Sequence, residues 1–277
     1  MQGKSLKSFT GLAIMIDLRN FSEVSRRLLI QKKKPFSNTI KWRIYEVIFD
    51  FLSDTLGTII SSDNGILFDY KHTGDGFIFL TKHHRNRTQS FLQGFLFLLE
   101  IYLHLDKSVP QLNTKIIDLL EGNSKIVRGN RQLRYIENLF TNVSGTIWRN
   151  YIDFSIGAHC GAIFYKTYGT KKIFLGNTIN QASRFQALSK TFSDYNLFFS
   201  QEVNNSLNKA IKNPGLFSEL STKWFKDLER IELAGFGPTV VKTIERKHIS
   251  RVREKLVMSV DNGQLPVAED PKAVYSE

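Results

Sequence analysis

Short apolar runs alternate with amphipathic stretches along the chain, which predicts a mixture of strands and helices. Residues 11–16 form an apolar run that ends at an acid, Asp17, and this pattern is typical of a buried central strand. Asn20 predicts a capped helix start because an acid follows three residues later, and residues 38–56 predict a second helix that ends at Gly57. A strand therefore leads into helices.

A β-hairpin is predicted by two β-prone segments, residues 65–71 and 77–81, that flank an Asp-Gly pair at Asp75. The pair provides the backbone freedom of a tight turn and leaves an acid at its tip. Residues 88–105 then predict a long helix. Residues 106–150 are polar and lack a firm period, so we interpret them as an insertion that is partly helical.

Strand patterns return in the second half of the chain, at residues 152–162, 172–175, 196–200 and 230–244. Gly176 separates the second of these strands from a predicted helix that carries Asn180 and Arg184. A hairpin turn is predicted around Gly235. From residue 250 onwards the periodicity is lost, which predicts a mobile tail.

The composition indicates a globular protein, because 277 residues with 42% hydrophobic side chains can bury a full core. The single cysteine, Cys160, excludes an intramolecular disulfide, and we expect a buried thiol in a cytoplasmic protein. The apolar run before Asp17 is too short for a signal peptide. The most apolar later window, residues 91–105, contains three polar residues and is too short to cross a bilayer.

The net charge of +12 arises from 38 Lys and Arg against 26 Asp and Glu. Basic clusters attract anionic ligands, from nucleoside triphosphates to nucleic acid, and charge alone does not choose between them. A nucleic-acid-binding protein is therefore one hypothesis, although no nucleic-acid-binding motif is recognisable and we do not expect such a partner.

Two carboxylates follow predicted strands, Asp17 after the first and Asp75 in the hairpin turn. Each alone fits a helix cap or a turn residue. Brought together, they would repel one another unless a cation lay between them. Magnesium takes hard oxygen ligands, often one or two carboxylates together with substrate phosphates. The pair is thus a candidate metal site.

Asn180 and Arg184 lie four residues apart, so on a helix they share one face. An amide and a planar cation directed at one point suit a phosphorylated substrate. The alternative is a solvated helix face, which such pairs commonly form.

Four blocks carry a resemblance to a known family: residues 14–21, 71–76, 156–161 and 176–184. In order and spacing they resemble the class III nucleotidyl cyclase catalytic domain. The resemblance implies an α+β, ferredoxin-like βαββαβ domain over residues 10–249, with a central, mostly antiparallel sheet flanked by helices. It places the insertion at about 106–150 and a tail at 250–277.

The resemblance also implies an activity, the conversion of a nucleoside triphosphate to its 3′,5′-cyclic monophosphate and pyrophosphate. Asp17, Asp75 and the backbone carbonyl of Leu18 would hold two Mg²⁺ or Mn²⁺ ions. The backbone around Asn20 and Phe21 would contact phosphate. The enzyme would be a head-to-tail homodimer with active sites across the interface.

On the same resemblance, the second subunit would supply Asn180 to position the ribose and Arg184 to stabilise charge at the α-phosphate. Lys71 matches the first residue with which purine cyclases of this family read adenine, whereas Ile173 stands at the second position. A lone lysine can donate to uracil or cytosine as well as to adenine. The sequence therefore does not determine which base the substrate carries.

The triphosphate-binding lysine of the family is also absent, because Phe236 stands at its place in the last hairpin. Lys242, Lys171 and Lys172 are candidates to replace it, although each also fits an ordinary surface lysine.

The architecture resembles the bacterial pyrimidine cyclases of anti-phage signalling, which make cyclic CMP or cyclic UMP for a cyclic-nucleotide-binding effector. We therefore favour a cyclase that uses CTP or UTP. The alternatives are an adenylate cyclase and a nucleotide-binding module that has lost turnover.

Overall fold

The structure is a computed structural model that describes residues 5–22, 24–25, 38–63, 65–83, 87–124 and 152–261. The strands are β1 (Lys7–Arg19), β2 (Leu67–His72), β3 (Gly76–Lys82), β4 (Asp153–Tyr168), β5 (Lys171–Leu175), β6 (Leu197–Ser200), β7 (Phe225–Leu233) and β8 (Gly237–Ile244). The helices are α1 (Asn38–Ser61), α2 (Arg87–Ser124), α3 (Asn177–Ala187), α4 (Gln201–Ala210), α5 (Pro214–Lys223) and α6 (Ile249–Asp261). Short 3₁₀ turns follow α3 and β8.

The strands form one sheet in the order β2-β3-β1-β4-β6-β8-β7, and β5 pairs with the second half of β4. The β4–β6 pair is parallel, whereas the β2–β3, β4–β5, β6–β8 and β7–β8 pairs are antiparallel. Helices flank this sheet. The predicted fold class, an α+β domain with a central, mostly antiparallel sheet, is confirmed.

The chain divides into two compact units, of which the first contains most of the sheet. Its residues are Met1–Ile16, Ser62–Leu103 and Ser155–Glu277. In this unit α3 packs on the face of the sheet that carries Ala13, Leu80 and Ile163, through its own Ala182. The burial of these apolar side chains between α3 and the sheet stabilises the unit.

The second unit comprises Asp17–Ser61 and His104–Phe154. The Asn113 side chain accepts a hydrogen bond from the Ile152 amide (2.8 Å) and donates one to the Ile152 carbonyl (2.7 Å). Arg19 and Asp153 form an ion pair at 3.7 Å. These polar contacts join the end of α2 and the end of β1 to the start of β4.

Two helices extend beyond their predicted ends. The first, α1, continues through Gly57 to Ser61. Gly57 is exposed and a side chain at this position would contact nothing, so the glycine costs the helix no packing. The second, α2, was predicted to end at residue 105 but runs on to Ser124, and so covers the first part of the segment predicted as a partly helical insertion. Val109 and Ile116 are buried seven residues apart and continue its apolar face. Residues 125–150 of the predicted insertion lie outside the described residues.

The predicted tail also needs correction, because its first part forms α6. Ile249, Val252 and Leu256 are fully buried at helical spacing, and the charged residues between them hid this period in the sequence. Residues 262–277 lie outside the described residues. Among the helices of the described ranges, none is long and apolar enough to cross a membrane.

Candidate functional site

Helix α3 begins directly after β5, at a glycine whose backbone other residues rarely adopt. Gly176 has φ 140°, and a Cβ there would lie 3.2 Å from the Ala162 carbonyl oxygen. Two residues later, the Thr178 hydroxyl donates to that same carbonyl at 2.8 Å. The start of α3 is thereby fixed on β4.

The two faces of α3 differ sharply. Thr178, Ala182 and Phe185 are buried, whereas Asn180 and Arg184 are exposed. Neither exposed side chain makes a hydrogen bond or an ion pair with another residue of the described ranges. The helix therefore presents an amide and a guanidinium together, with their hydrogen-bonding groups available to a ligand.

The approach of α3 to β4 is close enough to require glycine. A Cβ at Gly157 would lie 2.1 Å from the Ala182 carbonyl oxygen and 2.2 Å from the Gln186 amide nitrogen. Both are backbone atoms, which a rotamer change cannot move aside. This contact fixes the distance between the sheet and α3, the helix that carries Asn180 and Arg184.

We expect Gly157→Ala to destabilise the protein by about 2–4 kcal/mol, because the added methyl group forces α3 away from β4. Denaturant unfolding monitored by circular dichroism measures the change. Gly57→Ala is the matched control: a Cβ there meets nothing within 4 Å, and alanine favours a helix interior by about 0.5–1 kcal/mol. Equal stability of the Gly157 variant and the wild type would contradict the close packing.

Asp75 lies in the β2–β3 turn, as predicted, and its side chain is half-buried. The turn is closed by the Thr73 amide, which donates to the Gly76 carbonyl at 2.9 Å, and Gly74 adopts φ 89°. The carboxylate itself has no hydrogen-bond or ion-pair partner among the residues that the structure describes. A half-buried acid in this position suits a cationic ligand.

Asp17 lies near the end of β1 and is half-buried, and it alternates with the buried Ile16 and Leu18. The chain turns at Asn20, which has φ 67°, a conformation that asparagine tolerates better than most residues. The Asn20 carbonyl accepts a hydrogen bond from the Val24 amide at 2.9 Å, which confirms the predicted helix start. Glu23, the predicted capping partner, lies outside the described residues.

Asp17 belongs to the second unit and Asp75 to the first, and the chemistry of each carboxylate suits Mg²⁺. Within the described ranges, no group of three or more His, Cys, Asp or Glu residues could hold a metal by itself. Mg²⁺ commonly binds through one or two carboxylates together with substrate phosphates, and needs no larger protein cage. Asp17, Asp75 and the Leu18 carbonyl are oxygen donors of this kind.

Lys71, the predicted base-binding lysine, lies on β2 with its Nζ atom 4.9 Å from the centre of the Phe174 ring. Ile173 precedes Phe174 on β5 and is 48% exposed. Successive strand residues point to opposite faces, so Ile173 lies on the other face of β5 from the ring that Lys71 contacts. The structure therefore pairs Lys71 with Phe174.

A second contact between β2 and β5 lies beside the first. Lys172 Nζ is 3.2 Å from Asp69 Oδ2 and 4.4 Å from the centre of the Phe68 ring. Asp69 and Phe174 were not recognised as site residues from the sequence. The signal that could have found Asp69 is its spacing of two residues from Lys71, which places both on one face of β2.

The three lysines considered as triphosphate ligands have different surroundings. Lys242 forms an ion pair with Asp227, and only 12% of its side chain is exposed. Lys172 is paired with Asp69, and Lys171 is exposed at the start of β5. Lys171 therefore needs to break no ion pair to reach a phosphate, whereas the other two do.

A buried histidine lies on β4 between Gly157 and Gly161. His159 Nδ1 is 2.8 Å from the Ser200 hydroxyl, and burial lowers the pKa of this imidazole although the Glu202 carboxylate opposes the change. Burial raises the pKa of the adjacent Cys160 thiol to about 11, so this thiol is protonated at neutral pH. These groups belong to the packing of the sheet against α4.

The central, mostly antiparallel sheet flanked by helices matches the class III nucleotidyl cyclase fold. The structure is similar to a bacterial light-regulated adenylyl cyclase, with 15% identity over 91% of this chain and a TM-score of 0.50. The match covers 59% of that protein, so this chain spans less than two thirds of its length.

It is also similar to the guanylyl cyclase Cya2, with 13% identity over 88% of this chain and 94% of that chain, and a TM-score of 0.50. No protein-family model matches the chain, and no curated protein matches its sequence.

Proposed function

We propose that this protein is a metal-dependent nucleotidyl cyclase that converts a nucleoside triphosphate to its 3′,5′-cyclic monophosphate and pyrophosphate. The observation that carries the proposal is the exposed pair of Asn180 and Arg184 on α3, which has no partner among the described residues. In a helix whose other face is packed on β4, this pair contributes nothing evident to stability. A bound phosphorylated ligand gives it a role.

The metal ligands in this proposal are Asp17, Asp75 and the backbone carbonyl of Leu18. Mg²⁺ or Mn²⁺, two ions per site, would supply Lewis acidity for the ribose 3′-hydroxyl and for the departing pyrophosphate. The two carboxylates would hold the ions and so orient the triphosphate. The backbone amides around Asn20 and Phe21 donate to phosphate, because the φ of 67° at Asn20 turns the chain there.

Asn180 and Arg184 act on the substrate itself. The Asn180 amide orients the ribose, so that its 3′-oxygen faces the α-phosphate. The Arg184 guanidinium donates to the α-phosphate oxygens, where charge builds as the new P–O bond forms and the bond to pyrophosphate breaks. Arginine suits this task because its planar fork matches two phosphate oxygens at once.

The active form in this proposal is a head-to-tail homodimer. One subunit provides the metal-binding acids and the other provides Asn180 and Arg184. A monomer would then have no complete site, so activity should rise with protein concentration.

The preferred substrate in this proposal is a pyrimidine triphosphate. Support comes from Lys71, whose neighbour across the strands is the Phe174 ring rather than an acid at residue 173. We further propose that the cyclic product acts as a second messenger for a separate effector in anti-phage defence, which nucleotide extraction from phage-infected cells would test.

The test is incubation of the purified protein with ATP, GTP, CTP or UTP and Mg²⁺ or Mn²⁺, followed by mass spectrometry of the products. We expect one predominant 3′,5′-cyclic pyrimidine nucleotide together with pyrophosphate. Cyclic AMP as the main product would identify an adenylate cyclase. Metal-dependent thermal stabilisation by a triphosphate without any product would identify a non-catalytic binding module.

A further inference from the structure

Four side chains of the first unit form two parallel contacts between β2 and β5. Asp69 pairs with Lys172, and Lys71 lies over the Phe174 ring. Asp69 and Lys71 are two residues apart on one face of β2, and Lys172 and Phe174 are two residues apart on one face of β5. The Cα atoms of the acid and the lysine on β2 are therefore roughly 7 Å apart.

The Lys71 ammonium keeps hydrogen-bonding capacity in this arrangement. A cation–π contact engages one side of the ammonium, and lysine has three N–H donors and no acceptor. The Phe174 ring is itself held by Tyr165, with ring centres 5.8 Å apart, and by Phe68, with ring centres 6.2 Å apart. The ring thus fixes where the ammonium can donate.

Asp69 likewise keeps capacity as an acceptor. Its Oδ1 accepts from the Tyr70 amide at 2.8 Å, and its Oδ2 faces Lys172 at 3.2 Å. An ionised carboxylate has about four lone-pair sites, so each oxygen can accept a further hydrogen bond. A quarter of the Asp69 side chain is exposed, which leaves the carboxylate within reach of a ligand.

We propose that Asp69 and Lys71 read the base of the substrate and select cytosine, an inference that rests on the function proposed above. Lys71 donates to the O2 atom of the base, and Asp69 accepts from the 4-amino group. These two exocyclic groups flank N3 on one edge of the pyrimidine ring, so two side chains that share one face of a strand can approach both from the same side. Uracil has a carbonyl in place of the amino group, so its O4 atom would face the carboxylate and be repelled.

The test is Asp69→Asn, which replaces the carboxylate with an amide that can donate to the O4 atom of uracil. We expect the ratio of kcat/KM for CTP to kcat/KM for UTP to fall at least about tenfold. The same variant should lose its preference for α,β-methylene CTP over α,β-methylene UTP in calorimetric binding. Neither analogue can be cyclised, so binding reports on the base even in a protein without turnover.

Two further variants distinguish base reading from a structural role. Asp227→Asn makes the same chemical change in a lysine-paired acid on β7 and should leave the ratio within about twofold of wild type. Lys172→Met breaks the Asp69 ion pair but keeps the carboxylate, and should retain the cytosine preference. An equal loss of preference in Asp69→Asn and Lys172→Met would show that the ion pair alone matters and would overturn the proposal.

The outcomes separate this inference from the proposed function. Cyclisation by the wild type with an unchanged ratio in Asp69→Asn overturns the role of Asp69 and leaves the cyclase intact. Absence of cyclic product with a cytosine preference in binding that Asp69→Asn abolishes overturns the cyclase and supports the base site. Absence of both turnover and binding overturns both.

Discussion

Asp75→Asn is expected to lose cyclase turnover by at least about 10³-fold while the protein stays folded. In the proposed function Asp75 is a metal ligand, and removing it would weaken the charge neutralisation that phosphoryl transfer needs; even indirect metal partners are commonly worth 10–100-fold. The fold should survive because the β2–β3 turn is closed by the Thr73 amide and the Gly76 carbonyl, which do not involve the carboxylate. The measurement is initial rate of pyrophosphate release at saturating triphosphate, together with thermal unfolding.

The matched control for this substitution is Asp194→Asn, which changes an exposed acid in another turn. Its rate should stay within about twofold of wild type, because an exposed surface acid away from the site contributes little. Turnover that persists in Asp75→Asn at the wild-type rate would show that this residue is not a metal ligand.

A mixture of two inactive variants is expected to recover activity. Arg184→Ala should lower kcat about 10²–10³-fold, because in the proposed function the guanidinium acts on charge that develops in the transition state. Its fold should be preserved, since the side chain is exposed on α3. Mixed in equal amounts with Asp75→Asn, it should restore roughly one quarter of wild-type activity: random pairing makes half the dimers mixed, and each mixed dimer has one of its two sites intact.

The recovery should depend on exchange of subunits. It is measured as pyrophosphate release after the two variants have been incubated together, with each variant alone at the same total concentration as the reference. A mixture no more active than the sum of its components would place Asp75 and Arg184 in the same subunit's site and remove the composite active site from the proposal.

Local signals in the sequence were sufficient for the elements that carry the proposed chemistry. The Asp75-Gly76 pair between two β-prone segments predicted the hairpin, and the glycine at residue 176 marked the start of α3. These predictions succeeded because a tight turn and a helix start depend on the few residues within them. The wrong element ends had the opposite cause: Ile249 and Val109 stabilise their helices through burial against residues distant in sequence.

The partner of Lys71 shows what local signals could not provide. The family resemblance puts the second base-reading position at Ile173, because this residue lies three positions before Gly176. In the folded chain β5 turns Phe174 towards Lys71, and Ile173 is about half exposed. Strands β2 and β5 are not neighbours in the sheet, so no pairing rule connects residues 69–71 with residues 172–174.

By itself, the sequence determined the acid-bearing hairpin and the shared helix face of Asn180 and Arg184, because each depends on a local pattern of turn and helix-forming residues. It indicated the fold class through the four blocks that resemble a known family. Only the tertiary structure decided that α3 rests on Gly157, that α2 and α6 extend as far as they do, and that Asp69 stands beside Lys71 facing β5. Contacts between distant segments form when the chain closes around its core, and the order of residues records them only indirectly.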